Sequence, residues 1–317
     1  MSPCTRNTLA AIVVLVAAGC QSEDVAEEVA APVAEEVADE VADEVADEVA
    51  DEVADPSPLK ASVTLHASFD HGADADFALG DALLYTAPSY DAQDEAEPGI
   101  GNPDVAIAAG AGRFGDALEF KAKNTHAIFY KADQNVAHST SNWSGTVSFW
   151  LSLDPAVDLA PGFCDPIQVT DSAYNDAAVW VDFTRDAPRQ FRLGIFGDLE
   201  VWNPENLSAN DFPFFLERVI AVDEPPFATG EWTHVVITFS GLGGSSGTAN
   251  LYLNGQAEAK TMTGVEEPFT WDMSRGAVRL GVNYVGLFDE LSLFDRALTA
   301  EEVQTLYELP GGVGSFY

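Results

Sequence analysis

The chain has 317 residues, with 14 Lys and Arg against 52 Asp and Glu and a formal charge of −38. That balance excludes a nucleic-acid binder, because contact with phosphates needs clustered basic side chains. Three cysteines are too few for a disulfide framework, so an exported domain of about 250 residues has to rely on its hydrophobic core.

Residues 1–19 carry one basic residue, Arg6, and an apolar run over 9–16. The run is shorter than the roughly 20 residues of a membrane-spanning helix, and small residues follow it, which is the pattern of a signal peptide. Ala17-Ala18-Gly19-Cys20 resembles the lipobox of bacterial lipoproteins. The resemblance implies cleavage before Cys20, lipidation of Cys20 and a membrane anchor. Gln21 in place of Asp then implies the outer membrane or cell surface. An ordinary secretory signal with a chance cysteine is the alternative. Cys4 leaves with the signal, and Cys164 is left as a buried small hydrophobe.

Residues 20–58 form an acidic stalk. Val-Ala-Asp-Glu repeats at 37–40, 41–44, 45–48 and 49–52, with Val-Ala-Glu-Glu variants at 25–28 and 33–36. The period of four gathers Val on one helical face, but it also stacks like charges at i,i+4, which opposes a helix. With no large apolar groups to build a core, the tract reads as a self-repelling spacer closed by Pro56 and Pro58. The rest of the mature chain still carries 37 acidic against 13 basic side chains, a net −24.

From residue 59 the pattern changes. Short apolar or alternating runs at 62–69, 117–120, 126–130, 145–153, 178–183, 190–196, 233–239, 249–253, 277–281 and 286–294 lie between clusters of Gly, Pro, Asn and Asp. They predict an all-β sandwich. Asn254-Gly255 predicts a tight hairpin. The one clear helix lies at the end, with Thr299 as cap, Glu302 completing a capping box, and Val303, Leu306 and Tyr307 on one face.

Four ordered segments resemble laminin-G-like jelly-roll domains of the concanavalin A-like lectin/glucanase superfamily. They are Gly112-Arg113-Phe114-Gly115-Asp116-Ala117-Leu118, Gly145-Thr146-Val147-Ser148-Phe149-Trp150, Trp232-Thr233-His234-Val235 with Leu251-Tyr252-Leu253-Asn254-Gly255, and Phe288-Asp289-Glu290-Leu291 leading to Ala297-Leu298, Glu301-Glu302 and Tyr307. The resemblance implies a jelly-roll β-sandwich of two antiparallel sheets over 59–310, followed by a tail at 311–317. Stretches at about 72–110 and 198–228 exceed the pattern and are expected as insertions.

The resemblance also raises glucan hydrolysis. The domain has no Glu-x-Asp-x-x-Glu strand, no Gly-x-Ser-x-Gly and no His-Glu-x-x-His, and Asp289 and Glu290 are adjacent and so point to opposite faces of a strand. A non-catalytic binding module is expected. Trp202 is the expected stacking platform for a sugar, with Asn203 and Arg192 beside it, because its surroundings read as a loop; packing of Trp202 against the aromatic 212–215 segment is the equal alternative. A Ca²⁺ site, as several members of the family hold near the sandwich rim, is expected from Asp70 and Asp289 with Asp74 or Asp76. Trp150, Trp180 and Trp232 are expected in the core. The expected partners are a carbohydrate or an envelope protein, with the membrane reached through the lipid. A divergent glycoside hydrolase is the remaining reading.

Overall fold

A computed structural model describes residues 57–208 and 212–317. The signal segment, Cys20 and the acidic repeat lie outside the described residues. In chain order the strands are β1 (Val63–Ala67), β2 (Phe77–Ala78), β3 (Leu84–Ala87), β4 (Glu97–Pro98), β5 (Val105–Ala108) and β6 (Ala117–Phe120). Next come β7 (Ala127–Lys131), β8 (Trp143–Ser152), β9 (Cys164–Thr170), β10 (Ala178–Phe183), β11 (Phe191–Phe196) and β12 (Val219–Val222). The set closes with β13 (Thr233–Leu242), β14 (Thr248–Leu253), β15 (Gln256–Ala257), β16 (Met262–Thr263), β17 (Ala277–Val282) and β18 (Gly286–Phe294).

They build two antiparallel sheets. Sheet A runs β15-β14-β13-β8-β18-β1-β2, with β16 on β14 and the β5–β6 pair on β18. Sheet B runs β12-β11-β10-β9-β17-β7-β3-β4. Period-two alternation sends one set of side chains from each strand between the sheets. Leu65, Phe149, Val235, Ile237 and Leu291 come from sheet A; Val169, Val181, Leu193, Val278 and Leu280 come from sheet B. This is the expected sandwich.

Strand β9 was not expected, and Pro166 explains why: proline lacks the N–H that a central strand needs. The chain accommodates it at a bulge, where the β9–β10 register shifts between Val181 and Phe183. The Asn254-Gly255 hairpin forms as expected, with φ of 50° and 78° and Leu253 paired to Gln256.

Both insertions fold onto the sandwich. The 72–110 stretch supplies β2 to β5 at the sheet edges. The later one carries α2 (Leu199–Trp202), α3 (Pro213–Glu217) and β12. The outer face of sheet A is covered by α4 (Ala300–Glu308), which Thr299 and Glu302 start with the expected capping box. Val303 and Leu306 pack there with Val236, Tyr252 and Phe294. Helix α1 (Ser57–Ser62) adds Leu59 to the same layer, and the chain end adds Val313. Residues 311–317 are therefore not a free tail: Val313 N–H donates to Glu290 at 2.9 Å, and Tyr317 stacks on Phe77 at 5.0 Å.

Trp150 and Trp180 are buried as expected, but on the outer faces of their sheets and not between them. Trp150 lies 4.6 Å from His234 and 5.7 Å from Tyr307 of α4. Trp232 precedes β13 and is only half-buried.

Candidate functional site

The alternation that fills the core leaves a second set of side chains on the outer face of sheet B. From β10 these are Ala178, Trp180 and Asp182; from β11 they are Arg192, Gly194 and Phe196. Trp180 is paired with Gly194, and a Cβ at Gly194 would overlap the indole, so glycine lets the ring lie flat on β11. Trp202 and Phe215 of the 198–228 insertion then pack over Trp180 and Phe196, closing one end of this face. At the other end Tyr90 and Ala96 pack on Tyr85, Phe129 and Ala277.

Between these two covers lies a cavity of about 240 Å³. Its floor carries Asp165, Gln168, Asp182 and Arg192, and its walls carry Phe163, Tyr174, Trp180, Phe215, Val282 and Asn283. Asp182 and Arg192 are direct cross-strand partners, which explains their fork-to-fork pairing: Nε donates to Oδ1 at 2.8 Å and Nη2 to Oδ2 at 2.5 Å. The guanidinium also sits 5.2 Å from the Phe163 ring centroid. The only hydrogen bond to the Asp165 carboxyl among the described residues comes from Gln168 Nε2. Burial, joined by the charge of Asp182, pushes Asp165 up to about 8. Burial raises Asp182 as well, opposed by Arg192. Tyr174, 40% exposed, forms the rim, and its carbonyl accepts from Trp180 Nε1 at 2.5 Å.

Of the residues expected to bind a ligand, only Arg192 lies in this cavity. Trp202 is not an exposed platform. It is 6% exposed, stacks near Phe196 and Phe214 at 5.0 and 5.9 Å, and donates from Nε1 to the Asn175 carbonyl at 3.0 Å. Asn203 is buried too, with both ends of its amide bound to the Leu207 backbone at 3.0 Å. Both residues hold the insertion in place. For Trp202 this is the alternative offered by the sequence, packing on the 212–215 segment. The residues missed were Phe163, Asp165, Gln168, Tyr174, Trp180, Asp182 and Asn283. One signal was available: Trp180, Asp182 and Arg192 share strand parity on two neighbouring runs.

The four carboxylates expected to hold calcium do not converge. Asp289 Oδ2 accepts from the N–H groups of Arg113 and Phe114 at 2.7 and 3.2 Å, and Oδ1 accepts from Glu290 N–H at 2.8 Å. Asp70 accepts from Asp116 N–H at 2.6 Å, and Asp74 from Leu84 N–H at 3.0 Å. Asp76 accepts from Ser68 N–H at 2.7 Å and lies 3.0 Å from His71. Asp289 and Asp70 both hold the 113–116 segment, Asp74 and Asp76 hold backbone nearer to them in sequence, and no three His, Cys, Asp or Glu side chains among the described residues form a metal-binding group. The donor set does not fit Ca²⁺, which wants six to eight oxygens. Burial pushes Asp289 up to about 8 and Glu290 up to about 7.

His234 is buried against Ser148 Oγ at 2.8 Å, and burial lowers it to about 3, so it stays neutral.

No curated protein matches the chain. Among solved structures, the binding domain of Botulinum Neurotoxin DC in complex with SialylT is similar, with a TM-score of 0.53 and 12% identity over 79% of this chain and 52% of that one. The Botulinum neurotoxin serotype D binding domain gives 0.52 and 13% over 80% and 52%. The chain thus spans about half of those domains. Domain 4 of AbnA, a GH43 extracellular arabinanase from Geobacillus stearothermophilus solved with arabinotriose, gives 0.48 and 18% over 77% and 98%. At these identities the likeness is one of fold. The sequence profile of the concanavalin A-like lectin/glucanases superfamily matches residues 124–304, from the start of β7 into α4, which takes in the whole centre of both sheets. On that match and the observed two-sheet sandwich, the chain belongs to the concanavalin A-like lectin/glucanase superfamily.

Proposed function

We propose that this protein is a non-catalytic carbohydrate-binding module and that the cavity on the outer face of sheet B is its binding site. The observation that carries the reading is the combination in one cavity of aromatic rings with a floor of paired and hydrogen-bonding polar groups. Sugars need both: a flat apolar surface for the C–H face of the ring and fixed donors and acceptors for the hydroxyls. A neurotoxin binding domain of the same fold was solved with SialylT, which is in line with the reading without supplying any contact. Catalysis is left out of the proposal because both oxygens of Asp182 are committed to Arg192, so it is not free as nucleophile or base.

Lipidation at Cys20, the stalk and display at the outer membrane or cell surface complete the proposal, and they rest on the sequence alone. Replacing Cys20 by Ala should move the protein from the membrane to the soluble fraction. A glycan array probed with the protein and with Tyr174→Ala tests the binding. Retention that Tyr174→Ala removes supports the module; a folded protein retained by no glycan would sink it.

A second reading, a protein-interaction component of the envelope, is favoured by one observation. Val201, Leu207 and Leu216 of the 198–228 insertion are 55%, 47% and 62% exposed, so one insertion presents three large apolar side chains to solvent.

A further inference from the structure

The floor of the cavity is asymmetric in charge. Of its two carboxylates, Asp182 is neutralised by Arg192 through both oxygens. Asp165 is 8% exposed and receives one hydrogen bond, from the uncharged Gln168. No Lys, and no Arg other than Arg192, lines the cavity. Arg192, committed to Asp182, offsets the charge of Asp165 in part without bonding to it. A buried carboxylate with no counter-ion in contact is costly, and an incoming cation with N–H donors would supply both the charge and the hydrogen bonds it lacks. Tyr174, Trp180 and Phe163 around it offer faces that attract an ammonium group as well as a sugar ring. The volume of about 240 Å³ falls below the roughly 300 to 1,000 Å³ of pockets for larger ligands, so it suits one ring and not a chain. Beyond the stalk the mature chain carries a net −24, which draws small cations toward it and repels anionic sugars.

We propose that the cavity takes a single sugar ring bearing a free protonated amine, with the ammonium against Asp165 and the ring face on Tyr174 and Trp180. This deepens the carbohydrate reading and rests on it. An N-acetylated amine carries no charge and a neutral hexose has no amine, so both leave Asp165 unpaired. Asp165, raised to about 8 while the cavity is empty, gives up its proton when the ammonium arrives. Binding of the amino sugar at pH 6.5 therefore releases a proton, and binding of a neutral sugar does not.

The test uses the whole protein at pH 6.5 and physiological salt. Glucosamine, N-acetylglucosamine and glucose are titrated by NMR, and the heat of binding is compared in phosphate and MOPS buffers to count protons. The expected result is glucosamine binding at least ten-fold tighter than either of the others, with proton release. In Asp165→Asn the preference for glucosamine and the proton release should both disappear. Equal binding of all three sugars, lost in Tyr174→Ala, would overturn the amine and leave the carbohydrate reading standing. A glucosamine preference that survives Asp165→Asn, or that comes without proton release in the unmodified protein, would also overturn it. Binding of none of the three to the folded protein would overturn both.

Discussion

The outer faces of the two sheets bury the same chemical oddity and treat it in opposite ways. On sheet A, Asp289 and Glu290 do not point to opposite faces as a regular strand would require, because Glu290 has a φ of 53° where the β18–β8 register shifts. They are 0% and 3% exposed and pushed up to about 8 and about 7. On sheet B, Asp165 is 8% exposed and pushed up to about 8. The sheet A pair is met by backbone: Asp289 fixes Arg113 and Phe114, and Glu290 fixes Val313. Asp165 meets one side-chain amide and a cavity. A carboxyl raised by burial is thus a brace where the chain supplies its donors and is left with room beside it where the chain does not. The shift alone does not tell the two apart.

Removing a brace should cost most. Asp289→Ala leaves one buried and two part-buried backbone N–H groups without their acceptor, and a loss of about 2 to 4 kcal/mol is expected from chemical denaturation. Asp165→Asn keeps shape and relieves an unpaired carboxyl, so it should be neutral or stabilising. If the two variants lose equal stability, the contrast between the faces is broken.

The next effect is on pH dependence. In the folded protein Asp165, Asp289 and Glu290 keep protons that the unfolded chain loses above about pH 4 to 4.5. The folded form therefore binds more protons up to about pH 8, and stability falls as pH rises through that range. His66, His138 and His234, all lowered by burial, act in the opposite direction until the unfolded imidazoles have lost their protons, about one pH unit above their ordinary 6.5. Between about pH 6.5 and 8.5 the melting temperature should drop, against an opposition that fades by about pH 7.5. Each group still protonated in the folded form contributes up to about 1.4 kcal/mol per pH unit. A flat profile would refute this account, and Asp289→Asn should flatten it in part.

Smaller effects sharpen the description of the cavity. Gly194→Ala puts a methyl where the Trp180 indole lies and should cost about 1 to 3 kcal/mol while reducing sugar retention, read by melting and by the array. Tyr174→Ala, at a 40% exposed rim position, should change stability by less than about 1 kcal/mol and still remove binding. A variant that loses stability and binding together would make Tyr174 a packing residue.

Much of the fold was legible because it rests on local signals. Strand β18 spans Gly286–Phe294 as expected, and Thr299 with Glu302 marks the start of α4. The site was not legible, for three physical reasons. Pro166 disguised β9, the strand that carries Asp165 and Gln168, because a proline tolerated at a bulge looks like a strand breaker. Both faces of sheet B are covered, so β10 and β11 are buried at every position and show no inside–outside alternation. Trp180 and Trp150 read as core for the same reason. For Trp202 the sequence allowed both a binding platform and packing on the 212–215 segment, and only the packing partners seen in three dimensions decide for the second.

Lys60 lies 4.9 Å from the Tyr317 ring centroid and donates to the Phe316 carbonyl, so the described chain starts and finishes at one place. That place is the layer over sheet A, and the cavity opens on the far side of the sandwich. The packing that joins the first and last described residues is thus confined to one sheet, and the cavity depends only on the other.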